Sequence, residues 1–387
     1  MAKDIHSYLK AVYKEITAER ICDWTSSPKE SDKGVLRRLD SAFGFEQDAA
    51  HPDIRKKDEN VNGLLRILEK HVIEDNEVKD LFHNIQKQCD DIKEMLYLYM
   101  MADYQQFHDK STRYFNEVFA NINNISWGIS YQLPAKSIFY RMRRMDKSDI
   151  NDRLNFFHVP FTKRYLMGTY RYSIPGYPSF YSASSLYCCW EELDRPHLRE
   201  CGCSAFQTTI EVPLLDLRWK IDDVDILKKE NIEKLKHYIL RLPIIIACSL
   251  RVKDTPDKFV PEYVISQQVF QWLMSELRKK IKRKEKMTVG IIYTSAKSEI
   301  WKSFQTKEID SADIMTNYAL LSYLSEDENI NTYSRKLATR INIKNPLYFE
   351  ERISPITSIY QTLLAKEKEL TIHQISKWRN LAKYIKH

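Results

Sequence analysis

Two stretches hold the residues best suited to chemistry: FYRMRR at 139–144, and FHVPFTKRYLMGTYRYSIPGYPSFYSASSLYCCWEEL at 157–193. Together they are dense in arginine, tyrosine and carboxylate. Guanidinium forks bind phosphate oxygens bidentately and stay charged at any working pH, so Arg141 and Arg171 suit an anionic ligand. Such side chains are needed here. The eight glycines form neither a dinucleotide fingerprint nor a phosphate-cradling loop, so any bound phosphate must be held by side chains. No H-E-x-x-H helix or G-x-S-x-G elbow occurs, which removes the common zinc-protease and serine-hydrolase chemistries. Cys201 and Cys203 with His197 lack a second ligand pair, so no metal site is expected.

Local patterns show what must position these groups. Pro175-Gly176 signals a turn between Tyr172 and the pair Phe180-Tyr181. Ser184-Ser185 can cap a helix whose Leu186, Cys189, Trp190 and Leu193 form one apolar stripe. Glu191 and Glu192 then lie on opposite flanks, and only one of them can face a pocket beside Tyr181. SIFYRMRR alternates like a strand, as do FQTTIEVPLLDLRW (206–219) and MTVGIIYTS, which ends at Ser295. Helical periods appear in NIEKLKHYILRL and SQQVFQWLMSELRKK, and the tail after Pro355 reads as one more charged amphipathic helix. The run RKKIKRKEK at 278–286 is expected to be a solvated helix end.

Upstream, three helical stretches appear: Ile5, Leu9, Val12 and Ile16; Leu64, Leu65, Leu68 and Ile73; and Ile92, Leu96 and Met100. The expected class is α+β: a helical N-terminal domain at 1–130, a mixed domain at 136–350 and a C-terminal amphipathic helix at 351–387. A formal charge of +7 over 387 residues, spread through mixed-sign segments, suits an anionic ligand without requiring nucleic acid. The start of the chain has no apolar signal core, and the run from Leu242 to Leu250 is too short to span a bilayer. The expectation is therefore a cytoplasmic protein without membrane association. Seven cysteines without framework spacing fit a reducing compartment.

Arg171, then Tyr181 ten residues on, then Glu192 eleven further, with Tyr140-Arg141 upstream and GIIYTS downstream, resemble the RES domain over roughly 160 residues. That family is named for an Arg, a Glu and a Ser, degrades NAD and is similar in fold to ADP-ribosyltransferases. This chain has R-Y-S where many members have R-W-N. The resemblance implies that NAD is a substrate rather than a cofactor, with Glu192, Arg171, Tyr181 and Ser295 as catalytic candidates. Tyr140, Arg141, Arg171 and Tyr181 are the substrate-binding candidates. Breaking the bond from ribose to nicotinamide builds positive charge on the sugar, which a carboxylate at Glu192 would stabilise more in the transition state than in the ground state. Tyr181 or Tyr140 could face the cationic ring for about 0.5–2 kcal/mol. Ser295 could bond the ring amide or a ribose hydroxyl.

The function implied is an NAD glycohydrolase or phosphorylase acting as a toxin or defence effector, with an inhibitory antitoxin or trigger as partner and a homodimer as one assembly. Transfer of ADP-ribose to a protein would use the same donor site. A separate reading is a HEPN-like ribonuclease through Arg66 and His71, on a helix; a noncatalytic module for sensing or dimerisation is the other use of the N-terminal region. His158 in FFHVPF is expected to be structural.

Overall fold

A computed structural model describes residues 75–119, 130–218, 232–250, 252, 259–283, 289–296, 314–323, 333–349, 359–373 and 377–385. The first two helical stretches, with Arg66 and His71, lie outside the described residues. The first elements are α1 (Asp75–Met100), α2 (Tyr104–Val118), β1 (Ser130–Leu133), β2 (Ile138–Arg144), β3 (Ser179–Ala183) and α3 (Leu186–Glu192). Next come β4 (Cys201–Thr208), β5 (Val212–Leu217), α4 (Ile232–Ser249), α5 (Val264–Arg283), β6 (Gly290–Thr294) and β7 (Thr316–Leu321). The C-terminal part adds α6 (Arg335–Ala338), β8 (Ile341–Ile343), β9 (Leu347–Tyr348), α7 (Ile359–Lys368) and β10 (Arg379–Asn380).

The chain divides into two compact units. One takes the described residues of Met1–Ile129 and Trp219–Trp272, the other those of Ser130–Arg218, Leu273–Ile300 and Phe304–His387. This differs from the three-part division expected above, because α4 and the start of α5 group with the N-terminal helices. The helical unit is built on apolar faces: Ile92, Met95 and Leu96 of α1, Phe107 and Phe115 of α2, and Ile244 and Ile245 of α4 are all buried. Asn116 accepts a 2.9 Å bond from the Trp272 indole nitrogen, so the polar edge of that large ring is satisfied. Among the described residues no helix is long and apolar enough to cross a membrane.

The second unit carries a mixed sheet in the order β1-β5-β6-β7-β3-β2-β4-β8-β10, with β9 beside β4. Among the described strands only β5 and β6 run parallel. The segment 206–219 is not one strand: β4 and β5 break at Thr209–Glu211, and β5 joins β1 and β6 while β4 joins β2 and β8. β2 pairs with β4 over seven positions but with β3 at one, Tyr140 opposite Ala183. β3 in turn pairs with β7 over five. The sheet is thus two paired blocks joined at a single residue pair, and it opens beyond that pair.

Alternation along the strands sorts the core into two faces. Phe139 stacks on Phe206 with ring centroids 5.7 Å apart and meets Phe180 at 6.2 Å. On the opposite face Tyr140, Met142, Ala183 and Ala205 share a cluster with Leu186, Cys189 and Trp190 of α3 and with Leu363 and Leu370. The tail is therefore not a single docking helix. It runs as α7, a π turn over Glu369–His373 and then β10, which pairs with β8. Its apolar residues are consumed by this core, since Leu363, Leu370 and Leu381 are buried.

Candidate functional site

The site is set first by a cap. Ser185 is extended (φ −142°, ψ 157°) and its hydroxyl accepts from the Cys188 amide, satisfying a donor that the first turn of α3 leaves open. The helix is only seven residues long, so its direction is fixed by the buried stripe Leu186, Cys189 and Trp190. Asp194 and Arg195, with φ of 61° and 51°, end it in left-handed conformation. The reversal brings the Arg195 Nε within 2.9 Å of Glu191 Oε2. Glu191 is therefore a buried structural partner, and Glu192 points the other way.

Glu192 reaches the ends of two strands. Its Oε1 accepts 2.6 Å from the Ser295 hydroxyl and 2.5 Å from Asn317 Nδ2. Ser295 follows β6 directly, and its amide donates to the Met315 carbonyl, which fixes its backbone. Asn317 sits in β7 opposite both Ala183 and Tyr293. The Tyr293 hydroxyl is held neutral by burial, and the titratable groups around it are Glu192, Tyr181, Tyr172 and Arg171. Tyr293 thus lies amid three of the sequence candidates.

Tyr181 and Arg171 reach this cluster through one turn. Ile174–Tyr177 closes by a 3.0 Å bond from the Tyr177 amide to the Ile174 carbonyl. Gly176 has φ +78°, the position where a type II turn needs glycine. The turn folds the chain back so that the Tyr172 amide donates 3.0 Å to the Tyr181 hydroxyl, and the rings of Tyr172 and Tyr293 lie 4.6 Å apart. Tyr170 approaches Tyr181 at 5.9 Å.

Arg141 is the first β2 residue past the Tyr140–Ala183 joint. Its Nη1 is buried with no hydrogen-bond partner among the described residues, and its guanidinium lies 5.2 Å from the Phe180 ring. Burial, then the like charge of Arg143, push its pKa down to about 9; Tyr170 and Tyr181 stand nearby. An anion would stabilise a cation so placed. Tyr140 and Arg141 face opposite ways. Successive strand residues face opposite ways, so Tyr140 turns beneath α3, where burial, with Glu367 nearby, raises its pKa.

His158 is structural. Its Nδ1 donates 2.8 Å to the Val159 carbonyl and its Nε2 accepts 2.9 Å from the Ser334 amide, the pattern of one neutral tautomer. Cys201 and Cys203 are buried in the core, the Cys201 thiol bonding the His197 carbonyl. An open cavity of about 620 Å³ lies at the end of β2, lined by Arg143, Arg144 and Lys163 together with Asp146, Asp149 and Glu200. Its charges balance and Glu192 does not line it. The hydrogen bonds on Glu192, rather than this cavity, mark the candidate site.

Sequence reasoning missed Asn317 and Tyr293. Tyr293 stands two residues before Ser295 on a strand, hence on the same face, and could have been found by alternation. Asn317 is a polar residue within the buried run TNYALL, itself a signal, because a polar side chain inside a strand buried on both faces requires a partner.

The chain is 31% identical over 299 residues to a protein of Bacillus subtilis (strain 168) named "Putative toxin YopC". The match takes in 73% of this chain and 63% of the relative, so the chain spans less than two thirds of that protein's length. No family model and no solved structure matches.

Proposed function

We propose that this protein is a toxin that consumes NAD by cleaving the bond between nicotinamide and ribose, passing ADP-ribose to water or inorganic phosphate. The observation that carries the reading is the Glu192 carboxylate, held by Ser295 and Asn317 and gathered with Arg171, Tyr181 and Tyr293 at one end of the sheet. The resemblance to the RES domain supports NAD as substrate, and the name of the Bacillus subtilis relative supports the toxin role.

In this reading Arg141 and Arg171 hold the diphosphate. The uncompensated Nη1 of Arg141 fits an anion, and desolvated guanidinium–phosphate bonds are strong. The Tyr181 ring faces the cationic nicotinamide. The bond from the anomeric carbon to the ring nitrogen breaks, with its electron pair leaving on nicotinamide, which becomes neutral. The sugar becomes cationic, and the Glu192 carboxylate, accepting from the 2′-hydroxyl, stabilises that charge as it develops. An oxygen of water or phosphate then bonds the anomeric carbon, and water loses its proton to solvent. Ser295 holds Glu192 in this step rather than touching the ring.

The test is incubation of the purified protein with NAD, with and without phosphate, followed by identification of every product. Nicotinamide with ADP-ribose, or with its 1″-phosphate when phosphate is present, supports the reading. Intact NAD would refute it, and ADP-ribose found only on protein would replace it with protein ADP-ribosylation. As a toxin, the protein should arrest growth on expression, and a cognate inhibitory protein should relieve the arrest.

A further inference from the structure

We infer that Asn317 is a positioning residue that sets the plane of the Glu192 carboxylate for glycosidic bond cleavage, an inference that rests on the reading above. Helix α3 grips this side chain twice. The Cys188 thiol donates 3.3 Å to Asn317 Oδ1, and Glu192, one turn later on the same helix, accepts from Nδ2 at 2.5 Å. An amide can be turned end for end, and this pair of contacts decides which way it faces. Burial raises the Cys188 thiol well above its ordinary range, so it remains protonated and can donate, whereas the Glu192 carboxylate can only accept. The amide oxygen must therefore face Cys188, and the amide nitrogen must face Glu192.

Ser295 alone could not set this orientation. Its hydroxyl is a rotor, which fixes a distance to Oε1 but leaves the carboxylate free to turn about that contact. A planar amide anchored at its other end adds the missing direction. The backbone of Asn317 is equally fixed, because β7 is paired on both sides at this residue, with Ala183 of β3 and Tyr293 of β6. The donor thus comes from a central strand and its target from a short capped helix. The thiol closes the chain of contacts, so the carboxylate is oriented before any substrate arrives. Preorganisation of this kind acts on the chemical step rather than on binding.

The test compares nicotinamide release by wild type, Asn317→Ala, Asn317→Asp and Cys188→Ala. Asn317→Ala should lower kcat by about 100-fold with KM within about threefold, because the donor touches the carboxylate and not the substrate. Asn317→Asp places a second carboxyl against Glu192, and two carboxylates this close cannot both ionise. That variant should be nearly inactive at pH 8 and recover as the pH falls towards 5, where the introduced carboxyl is protonated and donates as the amide did. A purely structural role predicts no such acid recovery. Cys188→Ala, which removes the orienting donor together with a contact to Ser295, should lower kcat about three- to tenfold at unchanged KM, and decides the matter should Asn317→Ala fail to fold. Retention of more than a third of kcat in a folded Asn317→Ala, a wild-type pH profile in Asn317→Asp, or no kcat change in Cys188→Ala overturns the inference while the cleavage reading stands. Absence of nicotinamide release from wild type overturns that reading and takes the inference with it.

Discussion

Replacing Glu367 by glutamine should flatten the pH dependence of stability between pH 4.5 and 7. The Glu367 carboxyl, on α7, accepts a 2.6 Å bond from the amide of Leu186, the first residue of α3. Burial raises its pKa from 4.5 to about 7, against which the Leu186 bond works only in part. The folded protein therefore keeps a proton that the unfolded chain has lost throughout this window, so stability falls as pH rises through it and levels off above pH 7. Each pH unit costs about 1.4 kcal/mol, which amounts to roughly 3 kcal/mol across the window. For a unit of this size that corresponds to about 6–12 °C in Tm. The assay is thermal unfolding of wild type and Glu367→Gln at half-unit intervals from pH 4 to 8. Only their difference is used, so that other titrating groups cancel. A difference that stays constant with pH would refute the reasoning, since it would mean that the carboxyl ionises in the fold as it does in water.

His158 should act in the opposite sense. Burial pushes its pKa down to about 3, so the stability it contributes is complete above pH 6.5 and is lost as pH falls below it; His158→Gln should remove that acid sensitivity in the same unfolding series. Tyr181→Phe keeps the ring but deprives the Tyr172 amide of its acceptor, costing about 1–3 kcal/mol in denaturant unfolding; an unchanged midpoint would show that the bond holds nothing. Gly290→Ala should destabilise the sheet by about 1–3 kcal/mol, because a Cβ there would lie 2.8 Å from the Ala319 carbonyl oxygen, backbone that cannot move aside; wild-type stability would mean that β6 and β7 approach less closely.

Much of the candidate site was legible because it is local. The spacing from Ser185 to Glu192 depends only on a cap and a helical stripe, and the Pro175-Gly176 turn is written in two residues. What decides between Glu191 and Glu192 was not legible, since it depends on two non-glycine residues adopting left-handed conformation after the helix. Asn317 escaped because its partner lies 125 positions away, and no local pattern specifies which strand neighbours which. Tyr140 and Arg141 show the reverse case: strand alternation puts the two candidates on opposite faces of β2, so the rule that identified the strand also separates them. The tail misled because amphipathic periodicity marks an apolar face without saying whether the chain's own sheet covers it.

Nicotinamide release by Glu192→Gln beside Glu191→Gln tests the central claim most directly. The two carboxylates are neighbours on one short helix, yet one is held by Ser295 and Asn317 and the other by Arg195 at its own helix end. Glu192→Gln should lose about 100- to 1,000-fold in kcat with its fold intact. Glu191→Gln should keep most of its rate while losing stability through the weakened Arg195 contact. Full turnover in Glu192→Gln, or loss of turnover in a folded Glu191→Gln alone, would contradict the account.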